Sequence, residues 1–250
     1  MHMNVREQRI LVTGGTSGVG RALAAALATG GAEVVTCGRR EGPAAGPGTR
    51  IHHLTADLAV PGEAARVVHR AAERLGGLDV VVANAGVQHL VTLTDGPDPE
   101  VLARARQEIA VNLTSVVELA AAAWPHLAAT GRPAAFVGVT SGLAYAPKRS
   151  APVYCAGKAG LHILLESLRH QARTDTPLVR VQEVVLPLVD TAMTAGREGP
   201  ARKISPEAAA RAVVRGLEGG RAVVPVGAAR VLLPLVRLCP PVAKRILRDG

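Results

Sequence analysis

A glycine-rich turn between a strand and a helix restricts the fold of this chain more than any other stretch. Residues 9–13 are a short β-rich run, residues 13–20 read Thr-Gly-Gly-Thr-Ser-Gly-Val-Gly, and residues 18–29 are rich in alanine and leucine. Glycines let the backbone approach an anion closely, and the amino-terminal end of a helix supplies free N–H groups and a positive dipole. The stretch therefore predicts a strand, a turn and a helix that together bind the phosphates of a dinucleotide.

The same alternation of strand and helix continues along most of the chain. Further strands are predicted at residues 33–37, 51–54, 78–83, 134–139 and 178–186, and further helices at residues 61–75, 100–129 and 152–173. The strand runs are mostly apolar, which is typical of a parallel sheet that is covered on both faces. No linker or internal repeat divides the chain. We therefore predict an α/β fold, a single doubly wound parallel sheet of Rossmann type, in one domain spanning residues 1–250.

Composition and charge exclude some classes of partner. The chain is 48% apolar but only 2% aromatic, and its net charge is +9. A positive charge permits anionic partners, but no basic cluster is interleaved with aromatic residues, which argues against nucleic acid. The three cysteines are isolated, which argues against a metal site and favours a reduced, cytoplasmic setting. The first residues show no signal-peptide pattern, and no stretch is apolar enough to span a bilayer.

Two arginines end the second predicted strand. Arg39 and Arg40 follow Gly38, at the point where a dinucleotide-binding sheet faces the adenosine ribose. An acidic side chain there would bind the ribose 2′-hydroxyl group, whereas an arginine accommodates a 2′-phosphate. We interpret the pair as a site for the 2′-phosphate of NADP(H), with a solvated basic turn as the alternative.

A tyrosine and a lysine lie four residues apart in the helix predicted at 152–173. Tyr154 and Lys158 therefore project from the same helix face. A nearby ammonium group favours the phenolate, so Lys158 is expected to lower the pKa of Tyr154. Such a tyrosine would donate or accept a proton close to neutral pH.

Several motifs in this order resemble the short-chain dehydrogenase/reductase family over residues 8 to about 225. The matching positions are the glycine turn at 13–20, Asp57, Asn84-Ala85-Gly86, Asn112, Ser141, Tyr154 and Lys158. Two positions depart from the family pattern, because Ala83 stands where asparagine is frequent and Leu188 replaces the glycine that usually follows Pro187. Neither departure removes a catalytic group.

The resemblance implies a catalytic set and a cofactor. Tyr154 would be the general acid or base, Ser141 would donate a hydrogen bond to the substrate oxygen, and Lys158 would hold the nicotinamide ribose. Asn112 would position a water molecule that relays protons to Lys158. The implied NADP(H) contacts are Gly14, Thr16, Ser17, Gly18, Val19, Gly20, Arg39, Arg40, Asp57, Leu58, Asn84, Ala85, Gly86, Tyr154, Lys158, Pro187, Val189 and Thr191.

Loops that leave the carboxyl ends of the strands are candidates for the substrate pocket. The candidate residues are Gln88, His89, Leu143, Tyr145 and Met193. His162, one turn beyond Lys158, is interpreted as a packing residue. Residues 188–205 suit a mobile lid over the substrate, and residues 222–250 suit a final strand and short helices that wall the pocket or contact another subunit. The alternative interpretation of this last segment is a basic, amphipathic membrane contact.

The leading functional hypothesis is an NADP(H)-dependent oxidoreductase that interconverts a small-molecule ketone and a secondary alcohol. A non-catalytic NADP(H)-binding sensor or scaffold, and redox-neutral epimerisation or elimination, are the alternatives, because fold alone does not specify function. The alanine-rich helices at 100–129 and 152–173 permit close packing between subunits, so we expect a homodimer or a homotetramer.

Overall fold

Seven parallel strands form one sheet in the order β3-β2-β1-β4-β5-β6-β7. The computed structural model describes residues 3–42, 48–197 and 201–248. The strands are β1 Arg9–Thr13, β2 Glu33–Gly38, β3 Ile51–Thr55, β4 Val80–Ala83, β5 Ala134–Ser141, β6 Val179–Leu186 and β7 Val223–Pro225. The helices are α1 Gly18–Thr29, α2 Glu63–Leu75, α3 Pro99–Ile109, α4 Ser115–Ala128, α5 Pro152–Asp175, α6 Pro206–Gly219, α7 Ala229–Leu238 and α8 Pro240–Arg248.

Two apolar layers, one on each face of the sheet, explain why the strands are apolar along their whole length. Leu11 and Val35 pack with helices α2, α4 and α5 on one face, whereas Ile10 and Val34 pack with α1 and α6 on the other. Successive strand residues point to opposite faces, so a strand buried on both faces needs an unbroken apolar run. The predicted doubly wound parallel sheet is confirmed.

The order of the strands determines where a ligand site can form. β1 pairs with β2 on one side and with β4 on the other, so the direction of winding reverses between β1 and β4. The chain after β1 and the chain after β4 lead to helices on opposite faces of the sheet, which leaves a crevice at its carboxyl edge. The glycine turn that follows β1 and the loop that follows β4 lie at this crevice and are joined by the hydrogen bond from Asn84 Nδ2 to the Thr13 carbonyl.

The helix predicted over residues 100–129 is present, but its middle is not regular α-helix. The structure has α3, a π-helical turn at Ala110–Thr114, and then α4. A π-helical turn inserts one extra residue into the helix and is frequent at functional sites. Asn112 lies in this turn, and its side chain bonds the loop that follows β4. The sequence therefore predicted the extent of this helix, but not the π-helical turn that places Asn112 against the loop after β4.

The carboxyl-terminal segment has the predicted order of one short strand followed by two short helices, β7, α7 and α8. Within the lid predicted at 188–205, Val189 pairs with Ile204 in a parallel bridge, and Ala192–Thr194 form a 3-10 turn. Residues 43–47 of the loop predicted at 41–50, residues 198–200 of the lid, and residues 1–2 and 249–250 lie outside the described ranges. Across residues 3–42, 48–197 and 201–248, no helix combines the length and apolarity that crossing a bilayer requires.

Candidate active site

A cavity of about 1120 Å³ lies at the carboxyl edge of the sheet, where the order of the strands reverses. Its walls come from the turn after β1, the ends of β2, β4, β5 and β6, the first turns of α5, and helices α7 and α8. The predicted site residues that line it are Gly14, Thr16, Ser17, Gly18, Val19, Gly20, Arg39, Arg40, Asp57, Leu58, Asn84, Ala85, Gly86, Gln88, Ser141, Leu143, Tyr154, Lys158, Pro187, Val189, Thr191 and Met193.

The glycine turn is packed tightly against the loop that follows β4. Asn84 Nδ2 donates to the Thr13 carbonyl at 2.8 Å, and Thr13 Oγ1 accepts the backbone N–H groups of Asn84 and Ala85 at 3.0 Å. A Cβ atom on Gly20 would overlap the Gly14 carbonyl oxygen and the Asn84 side chain. The turn therefore requires glycine at position 20 and keeps its path through bonds to a neighbouring strand.

The residues around this turn fit a dinucleotide. The Ser17 side chain does not cap α1, and the first turn of the helix carries no acidic residue. No carboxylate of this turn therefore competes with a ligand for the backbone N–H groups at the start of the helix. A phosphate group is the partner that such a helix end prefers. Arg39 and Arg40 are exposed and line the same cavity beyond Gly38. These residues would hold the pyrophosphate and the adenosine ribose of a nicotinamide dinucleotide.

Tyr154, Ser141 and Lys158 meet at the other end of the cavity. Ser141 and Tyr154 both line this wall, where the Ser141 hydroxyl group lowers the pKa of the phenol, and the backbone N–H of Leu143 donates to Ser141 Oγ at 3.2 Å. Lys158 Nζ lies 5.8 Å from the centre of the Tyr154 ring and donates to the Val139 carbonyl at 2.8 Å. Strand β5 and helix α5 therefore bring together three residues that the sequence separates by up to 17 positions.

The electrostatics of Tyr154 differ from the expectation. Burial raises the pKa of Tyr154 to about 12, although the hydrogen bond from Ser141 and the charge of Arg197 lower it in part. Burial also lowers the pKa of Lys158 to about 8. The prediction that Lys158 depresses the pKa of Tyr154 is therefore not supported, because desolvation of the buried phenol is the largest effect and Lys158 is not among the groups that lower its pKa. At neutral pH the phenol is protonated and can act as an acid.

Asn112 acts on the loop after β4. Its Oδ1 accepts the Val87 N–H at 3.0 Å and its Nδ2 donates to the Val87 carbonyl at 2.8 Å. The side chain is fully buried and lies behind the cavity wall, whose nearest lining residue in that turn is Val111. The described contacts of Asn112 thus fix the path of the backbone at Val87, next to the substrate candidate Gln88.

Two predicted pocket residues, His89 and Tyr145, do not line the cavity in the described part of the chain. The His89 ring bonds Gln107 Oε1 at 2.9 Å, and Tyr145 donates to the buried Glu183 carboxylate at 3.0 Å. Each ring finds a polar partner away from the cavity, because a buried polar group needs a hydrogen bond. Only the folded chain shows which way these side chains turn.

Glu183 is a buried carboxylate that the sequence reasoning missed. It lies within the apolar strand β6 and bonds Thr140 Oγ1 at 2.6 Å, as well as Tyr145 and His162 Nδ1, the latter at 2.9 Å. Burial and the carboxylate raise the pKa of Tyr145. A lone acidic residue inside an apolar strand was the signal available in the sequence, since such a residue is rarely buried without partners. His162, interpreted as a packing residue, is one of those partners.

Glu108 and Arg197 were also missed. Glu108 is buried in α3, its Oε1 accepts the His89 backbone N–H, and burial raises its pKa. Arg197, in the lid segment, lines the cavity and donates from Nη1 to Gln88 Oε1. Neither residue stands at a recognisable spacing in the sequence. Arg197 and its partner Gln88 are 109 residues apart, and Glu108 and its partner His89 are 19 residues apart.

Comparison with known proteins agrees with this geometry. Residues 8–200 match the family model described as short chain dehydrogenase. The chain is 39% identical over 194 residues to "Uncharacterized oxidoreductase DltE" of Bacillus subtilis (strain 168), covering 76% of this chain and 75% of that protein. It is 34% identical over 207 residues to "1-deoxy-11-beta-hydroxypentalenate dehydrogenase" of Streptomyces arenae, covering 79% of this chain and 73% of that protein.

A solved structure shows the same fold over nearly the whole chain. A short chain dehydrogenase from Burkholderia cenocepacia J2315, solved in complex with NADP, superposes with a TM-score of 0.85 at 27% identity. The alignment covers 99% of this chain and 100% of that one. The family match, the relatives and the arrangement of Ser141, Tyr154 and Lys158 lead to one conclusion: the chain belongs to the short-chain dehydrogenase/reductase family of oxidoreductases.

Proposed function

We propose that the protein is an NADP(H)-dependent oxidoreductase that interconverts a ketone and a secondary alcohol, with Tyr154 as general acid and base. The observation that carries this proposal is that Ser141, Tyr154 and Lys158 lie together on the wall of the cavity that the glycine turn also lines, with the Ser141 hydroxyl group near enough to lower the pKa of the Tyr154 phenol. A proton donor with a second hydroxyl group beside it suits reduction of a carbonyl group, where charge develops on oxygen. A binding protein without catalysis has no need of this pair.

The cofactor assignment rests on the charge of the site. NADP(H) would bind with its pyrophosphate at the start of α1 and its 2′-phosphate at Arg39 and Arg40, and it would supply or accept the hydride. Both arginines are exposed at the carboxyl end of β2, where no acidic side chain follows the strand before Glu41. An acidic residue there would repel a 2′-phosphate, and a guanidinium group binds it through charge-assisted hydrogen bonds.

Each catalytic residue then has a defined task. Tyr154 donates its phenolic proton to the carbonyl oxygen of the substrate, and its pKa of about 12 keeps that proton available at neutral pH. Ser141 Oγ accepts the Leu143 N–H, and its own O–H would donate a hydrogen bond to the same substrate oxygen. Lys158, with a pKa of about 8, supplies positive charge beside the phenol as the phenolate forms. The relative from Streptomyces arenae, named as a dehydrogenase of a hydroxylated compound, supports the alcohol–ketone reaction.

Replacing Tyr154 by phenylalanine tests the assignment. We expect Tyr154→Phe to bind NADPH normally but to lose at least about 100-fold in turnover, since positioned general acids contribute 10²- to 10⁴-fold. The measurement is NADPH absorbance with a panel of ketones. Tyr145→Phe is the matched control, because Tyr145 bonds Glu183 outside the cavity wall and should leave most of the turnover. Turnover of Tyr154→Phe within a few-fold of wild type would remove Tyr154 from the mechanism.

We further propose that the protein associates as a homodimer or homotetramer through α3, α4 and α5. Each of these helices exposes a large apolar side chain, namely Leu102, Val117 and Ile163, at 43%, 47% and 57% exposure. We infer that these side chains, together with the alanine-rich faces of the helices, form the contact surface between copies of the chain.

A further inference from the structure

Arg197 carries a positive charge into the cavity. Its Nη1 donates to Gln88 Oε1 and its Nη2 to the Gln88 carbonyl at 3.4 Å, so that the lid segment reaches the loop that follows β4. Both partners are uncharged. Within residues 3–42, 48–197 and 201–248, no carboxylate forms an ion pair with this guanidinium group. The buried Glu108 carboxylate feels this charge, since Arg197 lowers its pKa, but the two groups form no ion pair, so the guanidinium group can still bind an anionic ligand in the cavity.

The loop that holds Arg197 is itself held firmly. Asn112 bonds both the N–H and the carbonyl of Val87, and the buried Glu108 accepts the backbone N–H of His89. Gln88 lies between these two clamped residues and lines the cavity. A guanidinium group bound to such a loop is preorganised, which lowers the conformational cost of binding a ligand.

The cavity that Arg197 lines combines several positively charged side chains with apolar walls. Leu143 lines the same cavity. Helix α7 contributes Leu232 and Leu235 to its wall, and helix α8 contributes Ile246 and Leu247. Asp57 is the only acidic residue among its described lining residues, and it follows β3, next to the predicted adenosine site. The charge of Arg197 also acts on Tyr154, where it lowers the pKa of the phenol. Arg197 is thus close to the proposed site of proton transfer.

We propose that Arg197, positioned by Gln88, binds a carboxylate group of the substrate, so that the preferred substrates are keto acids and hydroxy acids with an apolar body. This inference rests on the proposed function and specifies the substrate class of the same cavity. A planar guanidinium group matches a carboxylate through two parallel hydrogen bonds, and the contact is strongest where water is excluded. Lys148 and Arg202 line the cavity as well and raise its positive potential.

The test measures binding, so it does not depend on turnover. The full-length protein is saturated with NADP⁺, and octanoate, octanamide and octyl phosphate are titrated by calorimetry. We expect wild type to bind octanoate at least about tenfold more tightly than octanamide, as one charge-assisted contact predicts. Arg197→Gln should reduce this preference to less than about twofold, and Arg197→Lys should keep part of it because the charge remains. Arg211→Gln, which removes an exposed arginine from α6, should keep the full preference.

Several outcomes would overturn the proposal. They are equal affinities for octanoate and octanamide in wild type, no binding of either, a preference that survives Arg197→Gln, and tighter binding of octyl phosphate than of octanoate. An arginine that only fastens the lid would give the first of these results. Assays of ketone reduction separate the two proposals: an intact octanoate preference without any turnover would reject the reaction and keep the carboxylate site, whereas turnover without the preference would reject this site alone.

Discussion

At the scale of single residues, the same type of side chain has different tasks according to where it lies along the cavity. Arg39 and Arg40 are exposed at one end, beyond β2, whereas Arg197 is partly buried and bonds Gln88 in the lid segment. Tyr154 lines the cavity beside Ser141, and Tyr145 bonds the buried Glu183 instead. Burial and partners, more than residue type, decide which of these groups bind a ligand and which stabilise the fold.

Arg39 should determine the choice of cofactor. We expect wild type to bind NADP(H) at least about tenfold more tightly than NAD(H), because one charge-assisted contact to a phosphate contributes about 1.5–3 kcal/mol. Arg39→Ala should remove most of this difference and leave NAD(H) binding nearly unchanged. Fluorescence titration at one fixed ionic strength measures both affinities, since the contact is screened by salt. Equal affinities in wild type would mean that Arg39 only faces solvent. The control variant is Arg173→Ala, which removes one positive charge at an exposed position at the end of α5.

At the scale of elements, the site depends on two local departures from regular structure. The glycine turn before α1 packs on Asn84, and the π-helical turn between α3 and α4 places Asn112 against Val87. Both departures serve the loops that follow β1 and β4, where the order of the strands reverses. The reversal opens the crevice, and these two turns determine its shape.

Gly20→Ala should therefore damage both stability and cofactor binding. The new Cβ atom would overlap the Gly14 carbonyl oxygen and the Asn84 side chain, so the turn must shift. We expect a loss of about 1–3 kcal/mol in the free energy of unfolding, as overpacking typically costs, together with weaker NADP(H) binding. Chemical denaturation and cofactor titration measure the two effects. Gly219→Ala is the control, because a Cβ atom there meets nothing within 4 Å and should not weaken cofactor binding. Normal cofactor affinity in Gly20→Ala would contradict the role of the turn.

At the scale of the whole molecule, a buried carboxylate joins elements at the edge of the sheet opposite the cavity. Asp79, just before β4, accepts hydrogen bonds from Arg9 of β1 and from Arg132, which precedes β5. The side chain of Asp79 is fully buried, whereas those of Arg9 and Arg132 are 25% and 46% exposed. This cluster ties three neighbouring strands together without contacting the site.

Asp79→Asn should lower the free energy of unfolding by about 2–4 kcal/mol, because several charge-assisted hydrogen bonds are lost. Burial by itself raises the pKa of Asp79, but the hydrogen bonds from Arg9 and Arg132 outweigh burial and hold the pKa below its ordinary value. A lowered pKa in the folded state means that the stabilisation is complete above the pKa of the unfolded chain, about 3.9, and is lost as the pH falls through the folded pKa.

Urea denaturation at several pH values checks this expectation. The difference between wild type and Asp79→Asn should be constant from about pH 6 to pH 8 and should shrink in acid. The control variant is Arg104→Gln, which removes the ion pair with Glu100, whose side chain is 71% exposed. It should lower the free energy of unfolding by less than about 0.5 kcal/mol. A difference that grows on acidification would show that Asp79 is not stabilised as a carboxylate.

Association is the second property of the whole molecule that can be tested. Ile163→Glu places a charge on the exposed apolar face of α5 and should convert a dimer or tetramer to a smaller species at micromolar concentration. Light scattering measures the mass. A wild-type protein that is already monomeric at that concentration would remove the proposed interface.

The sequence by itself determined the order of strands and helices, the parallel sheet, the glycine turn and the family. These features follow from patterns within a few residues: apolar runs, the absence of Cβ atoms at glycines, and a tyrosine and lysine one helical turn apart. Such patterns reflect local chain geometry, so they can be read from the sequence without knowing which distant residues come into contact.

Tertiary structure alone decided the π-helical turn at Asn112, the raised pKa of Tyr154, the turning of His89 and Tyr145 away from the cavity, and the contact between Arg197 and Gln88. Each of these depends on burial or on partners that are remote in the chain, 109 residues apart for Arg197 and Gln88. Desolvation and long-range contacts have no signature in local spacing, because they arise only when the sheet brings distant loops to one edge.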